Sequence, residues 1–427
     1  MDPHLFDADT RVATLGNGVR VVVISLPHLE SASASVFVRT GSSHESRRQS
    51  GISHFVEHMA FKGTHTRSCQ EINLQAERLG ADVNAHTDKD HTAYHMRGRA
   101  RDAAAFVRML GDIVQGSTFP EAELERERQV LLQEYIEDEE EPISTAYKLF
   151  DKLCFGTHPL AQPVIGSRGN IRRFARDELL DYVQSQYTAA NVVVGVAGHV
   201  DADVIFREAG AAFGGMRVGD ANAVAVPAYG GGIASRALAG SGQTHLVFGL
   251  PMPNLKDERH HAGVVAAALF GEGMSSPLLD EIRERRGLAY YLSCSADVSE
   301  LAGEFIIEAS TAPEHADEFL LAVKRLLEVQ AGSTGAVDLE RAKNQIAVRR
   351  LRASERPSRR LEDAALDLLS LGRVRSRAEL AERCEAVTGA EVRAAFAAML
   401  ESREAVAIAG KIRKGTLERA REIFGRS

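Results

Sequence analysis

The chain has 427 residues, of which 44% are hydrophobic and 26% are charged, values typical of a soluble globular protein. This length exceeds what a single core usually fills, so we expect two domains. The formal net charge of −8 argues against nucleic acid as the main partner, because phosphate binding requires a basic face. One arginine-rich stretch, residues 349–360, is predicted to lie on solvated helix faces.

The cysteines and the apolar runs indicate the compartment. Cys69, Cys154, Cys294 and Cys384 lie far apart and form no CxxC pair, which indicates free thiols in a reducing environment. Residues 1–9 have no basic start followed by an apolar stretch, so no secretory signal is predicted. No apolar run approaches the ~18 residues that span a bilayer. We therefore expect a cytoplasmic protein with no membrane partner.

The first half of the chain predicts strand pairs interspersed with helices. In chain order the patterns predict strands over 19–24 and 32–38, helices over 53–63 and 69–79, extended runs over 83–87 and 92–98, helices from 103 to 150 with a break near Phe119-Pro120, and a strand over 191–197. Because strands and helices do not alternate regularly, the pattern favours an α+β fold over a doubly wound parallel sheet.

The second half repeats this order after a change in composition. Residues 216–240 are rich in Gly and Ala, and they predict a linker between an N-terminal domain (1–215) and a C-terminal domain (241–427). The later elements are strands over 244–249, 290–296 and 303–309, helices over 260–270 and 278–285, and long helices to the end. The offset of roughly 210 residues indicates two homologous domains, each a mainly antiparallel sheet packed with helices.

The segment His54-Phe55-Val56-Glu57-His58 carries the strongest chemical signal. Histidines at i and i+4 lie on one face of a helix, so both imidazoles can reach one zinc ion. Glu57 shares that edge of the helix, where it can contact a water molecule at the metal without being a ligand. This is the inverted zincin motif, HxxEH. The motif alone leaves open a helix with two surface histidines and a solvated glutamate.

A catalytic zinc site needs a further ligand from a second element. The predicted helix over 121–136 carries Glu127 and Glu134, seven residues apart and therefore on one face. Such a helix can present one carboxylate to the metal and use the other to support the site. An acidic helix surface is the other interpretation, since many acidic residues surround the pair. The spacing does not decide between the two.

Residues 54–64 and 125–134 together resemble the pitrilysin/insulinase family of zinc metallopeptidases, most closely its processing-peptidase branch. The resemblance covers nearly the whole chain and includes residues 15–20, 84–87, 92–94, 273–276 and 283–290. It implies that His54, His58 and Glu134 bind one Zn²⁺ per chain. It also implies that Glu57 is the general base and that Glu127 is a nearby carboxylate that orients the site.

The resemblance also implies contacts with a peptide substrate. Asn84 and Ala85 correspond to an edge strand on which an extended peptide pairs by strand addition. Arg283 and Tyr290 correspond to a donor pair that contacts the substrate carbonyl near the scissile bond. Without the resemblance, these residues would be an ordinary strand, a helix-surface charge and a strand aromatic. Pro277-Leu278 departs from the Arg-Leu common in relatives, which affects one cleft contact and the start of that helix.

The resemblance extends to assembly. Chambers in this family consist of two units of this size, which close like a clamshell around a peptide, with the zinc half and the Arg/Tyr half of a site on opposite units. This chain supplies one unit with both half-sites, so a homodimeric zinc endopeptidase acting on unfolded peptides or leader segments is implied. The alternatives are one subunit of a heterodimeric processing peptidase that matures a specific peptide, and a non-catalytic peptide-binding subunit.

Two other histidine groups are assigned no metal from the sequence. His86, His91 and His95 form a loose cluster near the predicted edge strand, a pattern more typical of surface histidines. The adjacent His260 and His261 diverge by about 100° on a helix and do not make a ligand pair.

Overall fold

A computed structural model describes residues 7–425 and leaves residues 1–6, on which the signal-peptide prediction partly rests, outside the described chain. The strands are β1 (Thr10–Thr14), β2 (Arg20–Ser25), β3 (Ser31–Val38), β4 (Asp82–Thr87), β5 (Thr92–Arg99), β6 (Val192–Gly198), β7 (Gly232–Ala237), β8 (Thr244–Met252), β9 (Ala289–Val298), β10 (Gly303–Thr311) and β11 (Ala405–Gly410).

The helices before the second sheet are α1 (Ile52–Ala60), α2 (Cys69–Arg78), α3 (Ala103–Gly116), α4 (Glu121–Glu140), α5 (Pro142–Phe155), α6 (Arg168–Arg173), α7 (Arg176–Gln186) and α8 (Ala202–Phe213). The helices that follow the first strands of the second sheet are α9 (His260–Gly271), α10 (Pro277–Leu279), α11 (Ala316–Gly332), α12 (Ala336–Ser354), α13 (Pro357–Leu371), α14 (Arg377–Ala386), α15 (Gly389–Glu401) and α16 (Thr416–Phe424). A π-helical turn over Asp280–Arg285 continues α10. Within residues 7–425, no helix combines the length and apolar character needed to cross a membrane.

The strands form two sheets with the orders β1-β2-β6-β3-β5-β4 and β7-β11-β8-β10-β9. Apart from β1, the second order repeats the first strand for strand. Each sheet is antiparallel except for one parallel pair, β2 with β6 and β7 with β11. The expected α+β fold with two similar, mainly antiparallel sheets is confirmed.

The chain divides into two compact units that are not continuous in sequence. Within residues 7–425, the first contains residues 7–135, 162–224 and 352–378, and the second contains residues 136–161, 225–351 and 379–425. The sequence-based division at 1–215, 216–240 and 241–427 follows the duplicated strand order. It does not separate residues 136–161, which belong to the second unit, or residues 352–378, which belong to the first.

Both faces of the first sheet are covered. One face packs against α1, α3 and neighbouring helices in a core that includes Phe55, Tyr94 and Phe106. The other face packs against α13, where Leu361 lies among the side chains of β2, β3, β5 and β6. A Cβ at Gly195 would lie 2.4 Å from Cδ1 of Leu361, so glycine is what lets α13 approach β6. The residues of β5 therefore alternate between an α1 side and an α13 side.

Two elements contradict the sequence prediction, and β1, α6, α7 and α8 were not predicted. Continuous helix to the end is wrong for Ala405–Gly410, which forms the fully buried strand β11 between β7 and β8. A run of six apolar residues has no diagnostic period, and its partners are remote in the chain. Gly232–Ala237 lies in the predicted linker but forms β7, because its backbone pairs with β11.

Arg360 departs from the expected solvated face of the arginine-rich stretch. Its side chain is 8% exposed, and Nη2 lies 2.8 Å from Oδ1 of Asp9. This partly buried ion pair fixes α13 to the segment before β1.

Candidate active site

The candidate site is built on α1, whose first turn is held by a buried carboxylate. The Glu45 side chain accepts hydrogen bonds from the backbone N–H groups of Gly51, at 2.7 Å, and Ser53, at 2.8 Å. Gly51 has φ +96°, and a Cβ there would lie 2.9 Å from the Cα of Gly166. Phe55 and Met59 anchor the inner face of the helix in the core. The outer face therefore carries the HxxEH side chains.

Three potential metal ligands converge next to this outer face. Nε2 of His54 and Nε2 of His58 lie 3.8 and 3.5 Å from the same carboxylate oxygen, Oε2 of Glu134 on α4. One ligand atom from each residue lies within 4.8 Å of the other two. Two imidazole nitrogens and a carboxylate oxygen match the ligands of catalytic zinc. Burial, with a contribution from His58, lowers the pKa of His54 to about 4, which keeps its imidazole in the neutral form that binds metal.

Glu127 and Lys62 support the His58 imidazole. Oε2 of Glu127 lies 3.2 Å from Nδ1 of His58, and Oε1 lies 2.6 Å from Nζ of Lys62. A carboxylate that accepts the Nδ1–H bond leaves the lone pair on Nε2, the nitrogen that faces Glu134. The two glutamates on α4 therefore have different surroundings, a distinction that their spacing in the sequence does not reveal.

Glu57 lies beside the ligand group and is hydrogen-bonded to β4. The hydroxyl of Thr87 donates to Oε2 of Glu57 at 2.6 Å. Burial raises the pKa of Glu57, and the negative charge of Glu134 adds to the rise. A carboxylate whose pKa is raised above its ordinary value is suited to accept and return a proton.

Asn84 and Ala85 lie on β4, which is the edge strand of the first sheet. Asn84 is exposed, whereas Ala85 packs against the core on the α1 side. β4 pairs with β5 on one side, and its other side has no strand neighbour within residues 7–425. Thr87, which contacts Glu57, belongs to the same strand.

Arg283 and Tyr290 lie in the second unit. Arg283 is in the π-helical turn, with its side chain 43% exposed, and Tyr290 is on edge strand β9 and 84% exposed. Pro277 is the first residue of α10 and follows the N-cap residue Ser276. Proline is well tolerated at that position because it needs no backbone donor there.

Sequence reasoning did not assign roles to Thr87, Lys62 or Glu45. Their partners Glu57, Glu127 and Gly51 come from other elements or depend on the exact path of the chain before α1. No spacing pattern connects them, so the contacts emerge only in the folded chain.

The fold is that of a two-domain α+β protein, and the HxxEH segment on α1 contributes to a candidate metal-binding group. Residues 20–168 match the family described as Insulinase (Peptidase family M16), and residues 173–346 match the Peptidase M16 inactive domain. The chain belongs to this family, as the resemblance in its sequence indicated.

Relatives from several bacteria match this chain over most of their own length. An uncharacterized zinc protease of Rickettsia felis is 30% identical, over 85% of this chain and 88% of the relative. An uncharacterized zinc protease of Mycobacterium tuberculosis strain H37Rv is 32% identical, over 94% of this chain and 93% of the relative. The similarity therefore extends over both halves.

Solved structures share the fold at lower sequence identity. A protease from Helicobacter pylori superposes with a TM-score of 0.86 and 21% identity, covering 94% of this chain and 99% of that one. A chain of Complex III2 from Candida albicans superposes with a TM-score of 0.85 and 17% identity, covering 97% and 99%. At these identities the likeness concerns the fold alone.

Proposed function

We propose that this chain is a zinc-dependent endopeptidase that hydrolyses peptide bonds in unfolded peptides or in leader segments. The observation that carries the proposal is the convergence of His54, His58 and Glu134. Glu57 lies beside these three side chains but is not one of the potential ligands. The zinc protease names of the relatives support the same chemistry.

The roles of the residues follow from their positions. His54, His58 and Glu134 would hold one zinc ion, and Glu127 orients His58. Zinc, when bound, polarises a carbonyl and lowers the pKa of a water molecule. Glu57 accepts a proton from the attacking water and donates it to the leaving amine as the C–N bond breaks. Both steps require a carboxyl group that exchanges its proton readily.

Substrate contacts would use the two exposed edges. An extended peptide adds to the free side of β4, and the backbone of Asn84 and Ala85 supplies hydrogen bonds that depend little on the peptide sequence. In the proposed dimer, Arg283 and Tyr290 of one chain would present N–H and O–H donors to the carbonyl oxygen on which negative charge develops at the zinc half-site of the other chain. Their exposure leaves both side chains available to a substrate.

The assembly we propose is a homodimer with two equivalent sites, and a heterodimer with a related subunit is the alternative. Residues 1–215 and 241–427 would be the duplicated domains, connected through 216–240. We place the protein in the cytoplasm, since all four cysteines are free thiols. Light scattering of the active protein tests the dimer, because a particle of 46.3 kDa that cleaves peptide would contradict it.

Cleavage of a quenched fluorescent peptide, measured together with zinc content, tests the mechanism. Glu57→Gln should retain zinc and lose activity by at least about 10³-fold, because the side chain no longer accepts a proton. Glu30→Gln removes an exposed carboxylate elsewhere and should leave activity unchanged. Protein without zinc, or equal activity in Glu57→Gln and wild type, would contradict the proposal.

A further inference from the structure

A second group of side chains that could bind a metal ion lies on the opposite face of the β4–β5 hairpin. One ligand atom from each of His86, His91 and Glu362 lies within 4.8 Å of the other two. His86 is on β4, His91 directly precedes β5, and Glu362 is on α13. All three belong to the first unit. None of them is part of the ligand group on α1.

Strand alternation separates the two groups. Tyr94 of β5 faces the α1 side, whereas Ala93 packs with Leu361 on the α13 side. His91 therefore lies on the α13 side, and its ring centroid is 6.1 Å from that of Phe37 in the same cluster. On β4, Thr87 reaches Glu57 on one face, so His86 points to the other.

The two imidazoles are oriented as a pair of ligands would be. His91 is only 4% exposed, and its Nδ1 lies 2.7 Å from Oδ1 of Asp90. This carboxylate holds the proton on Nδ1 and leaves the lone pair on Nε2. Zinc-bound histidines commonly donate their other ring N–H to a carboxylate in the same way. Nε2 of His91 lies 3.3 Å from Nε2 of His86. Two nitrogens bound tetrahedrally to one zinc ion at ~2.0–2.1 Å are separated by about 3.3 Å.

The third side chain comes from a helix that is held in place independently. Leu361 is fully buried next to Glu362, and Arg360 pairs with Asp9. Nη1 of Arg359 donates a hydrogen bond to Oε2 of Glu362 at 3.1 Å. The other carboxylate oxygen of Glu362 is not part of this bond. The sequence alone favoured the interpretation that these are ordinary surface histidines. Such histidines would not be expected to have a carboxylate from a remote helix next to two neighbouring Nε2 atoms.

We propose that His86, His91 and Glu362 bind a second divalent transition-metal ion of the zinc class, with a water molecule as the fourth ligand. The ion would join α13 to the β4–β5 hairpin, the element that also carries Thr87. The negative charges of Asp88 and Asp90 lie close to His91 and favour a cation there. Two positive charges oppose it, Arg97 near His86 and Arg359, which pairs with Glu362. The chain would then hold two metal ions instead of one.

Zinc binding by the full-length chain with the first site disabled tests this proposal. In His58→Ala, calorimetric titration of metal-free protein with Zn²⁺ should still give one ion per chain, and Co²⁺ should give the visible absorption of a tetrahedral site. Adding Glu362→Gln or His86→Ala should weaken this binding by more than about 100-fold, since each removes a ligand. Both substitutions are at partly exposed positions, which protects the fold.

His95→Ala is the matched control. His95 lies on the same side of the hairpin, with its ring 5.8 Å from that of His86, but it does not belong to the ligand group. Added to His58→Ala, it should leave Zn²⁺ binding within about threefold. Absence of Zn²⁺ binding in His58→Ala, or binding that survives Glu362→Gln and His86→Ala together, would overturn the second site. So would equal loss in His95→Ala, because the three-residue assignment would then be incorrect.

Discussion

The hydroxyl of Thr87 lies 2.6 Å from the carboxylate of Glu57 and connects β4 to α1. β4 is the edge on which we propose that the peptide binds, and Glu57 is the group that we propose transfers the proton. On this proposal, the strand that aligns the substrate also positions the base. This contact gives Thr87 a role that a surface strand residue would not have.

Removing the Thr87 hydroxyl should reduce turnover more than substrate binding. Thr87→Val keeps the shape of the side chain but leaves Glu57 without this donor, and a hydrogen bond to a charged group contributes about 1.5 kcal/mol or more. We expect kcat to fall about tenfold with little change in KM. Thr87→Ser retains the hydroxyl and should recover most of the activity. A larger effect on KM than on kcat in Thr87→Val would argue against a positioning role.

Weakening the support of His58 should lower zinc affinity without abolishing the site. Glu127→Gln removes the charged acceptor for Nδ1 of His58, and we expect zinc affinity to fall by about 10–100-fold in chelator competition. Lys62→Met leaves Glu127 partly buried without its cation and should have a smaller effect. Lys152→Met, at an exposed position in the second unit, serves as the control. Unchanged affinity in Glu127→Gln would exclude this role.

The carboxyl group of Glu45 should make stability fall as pH rises. Burial raises its pKa in the folded protein to about 7, against 4.5 for the free group, despite hydrogen bonds from Ser53 and Gly51. The folded state therefore binds more protons than the unfolded state between these values. Its contribution is complete below pH 4.5 and is lost through about pH 7, up to about 3 kcal/mol.

Urea unfolding at about pH 5 and about pH 8 measures this dependence. In Glu45→Gln, a neutral analogue that retains one acceptor oxygen, the free energy of unfolding should change less between the two pH values than in wild type. Glu30→Gln should retain the full dependence, because its carboxylate is exposed. Parallel pH profiles for wild type and Glu45→Gln would contradict the prediction.

Close backbone packing at the start of α1 should make Gly51 sensitive to substitution. Gly51→Ala requires a positive φ and places a Cβ 2.9 Å from the backbone of Gly166. Gly80 also has a positive φ, +61°, but a Cβ there would meet no atom within 4 Å. Gly80→Ala should cost about 1–2 kcal/mol from the backbone alone, and Gly51→Ala about 1–3 kcal/mol more. Equal effects in chemical unfolding would show that the contact with Gly166 is relaxed easily.

Much of the secondary structure could be predicted from the sequence. Most strands and helices followed from periodicity, and the repeated order of the two halves predicted two similar sheets. β11 was missed because its six residues fit a helix as well as a strand until β7 and β8 supply partners. β7 was hidden in a Gly- and Ala-rich segment for a similar reason.

The sequence by itself determined the HxxEH group, because residues at i and i+4 share a helix face wherever the helix is placed. Motifs spread along the chain also indicated the family. The family resemblance implied different roles for Glu134 and Glu127, but only the tertiary structure shows the contacts behind them, Glu134 with both imidazoles and Glu127 with His58. Only the tertiary structure brings Glu362 to His86 and His91. These contacts join elements far apart in sequence, and their geometry depends on how α4 and α13 pack, which no local pattern encodes.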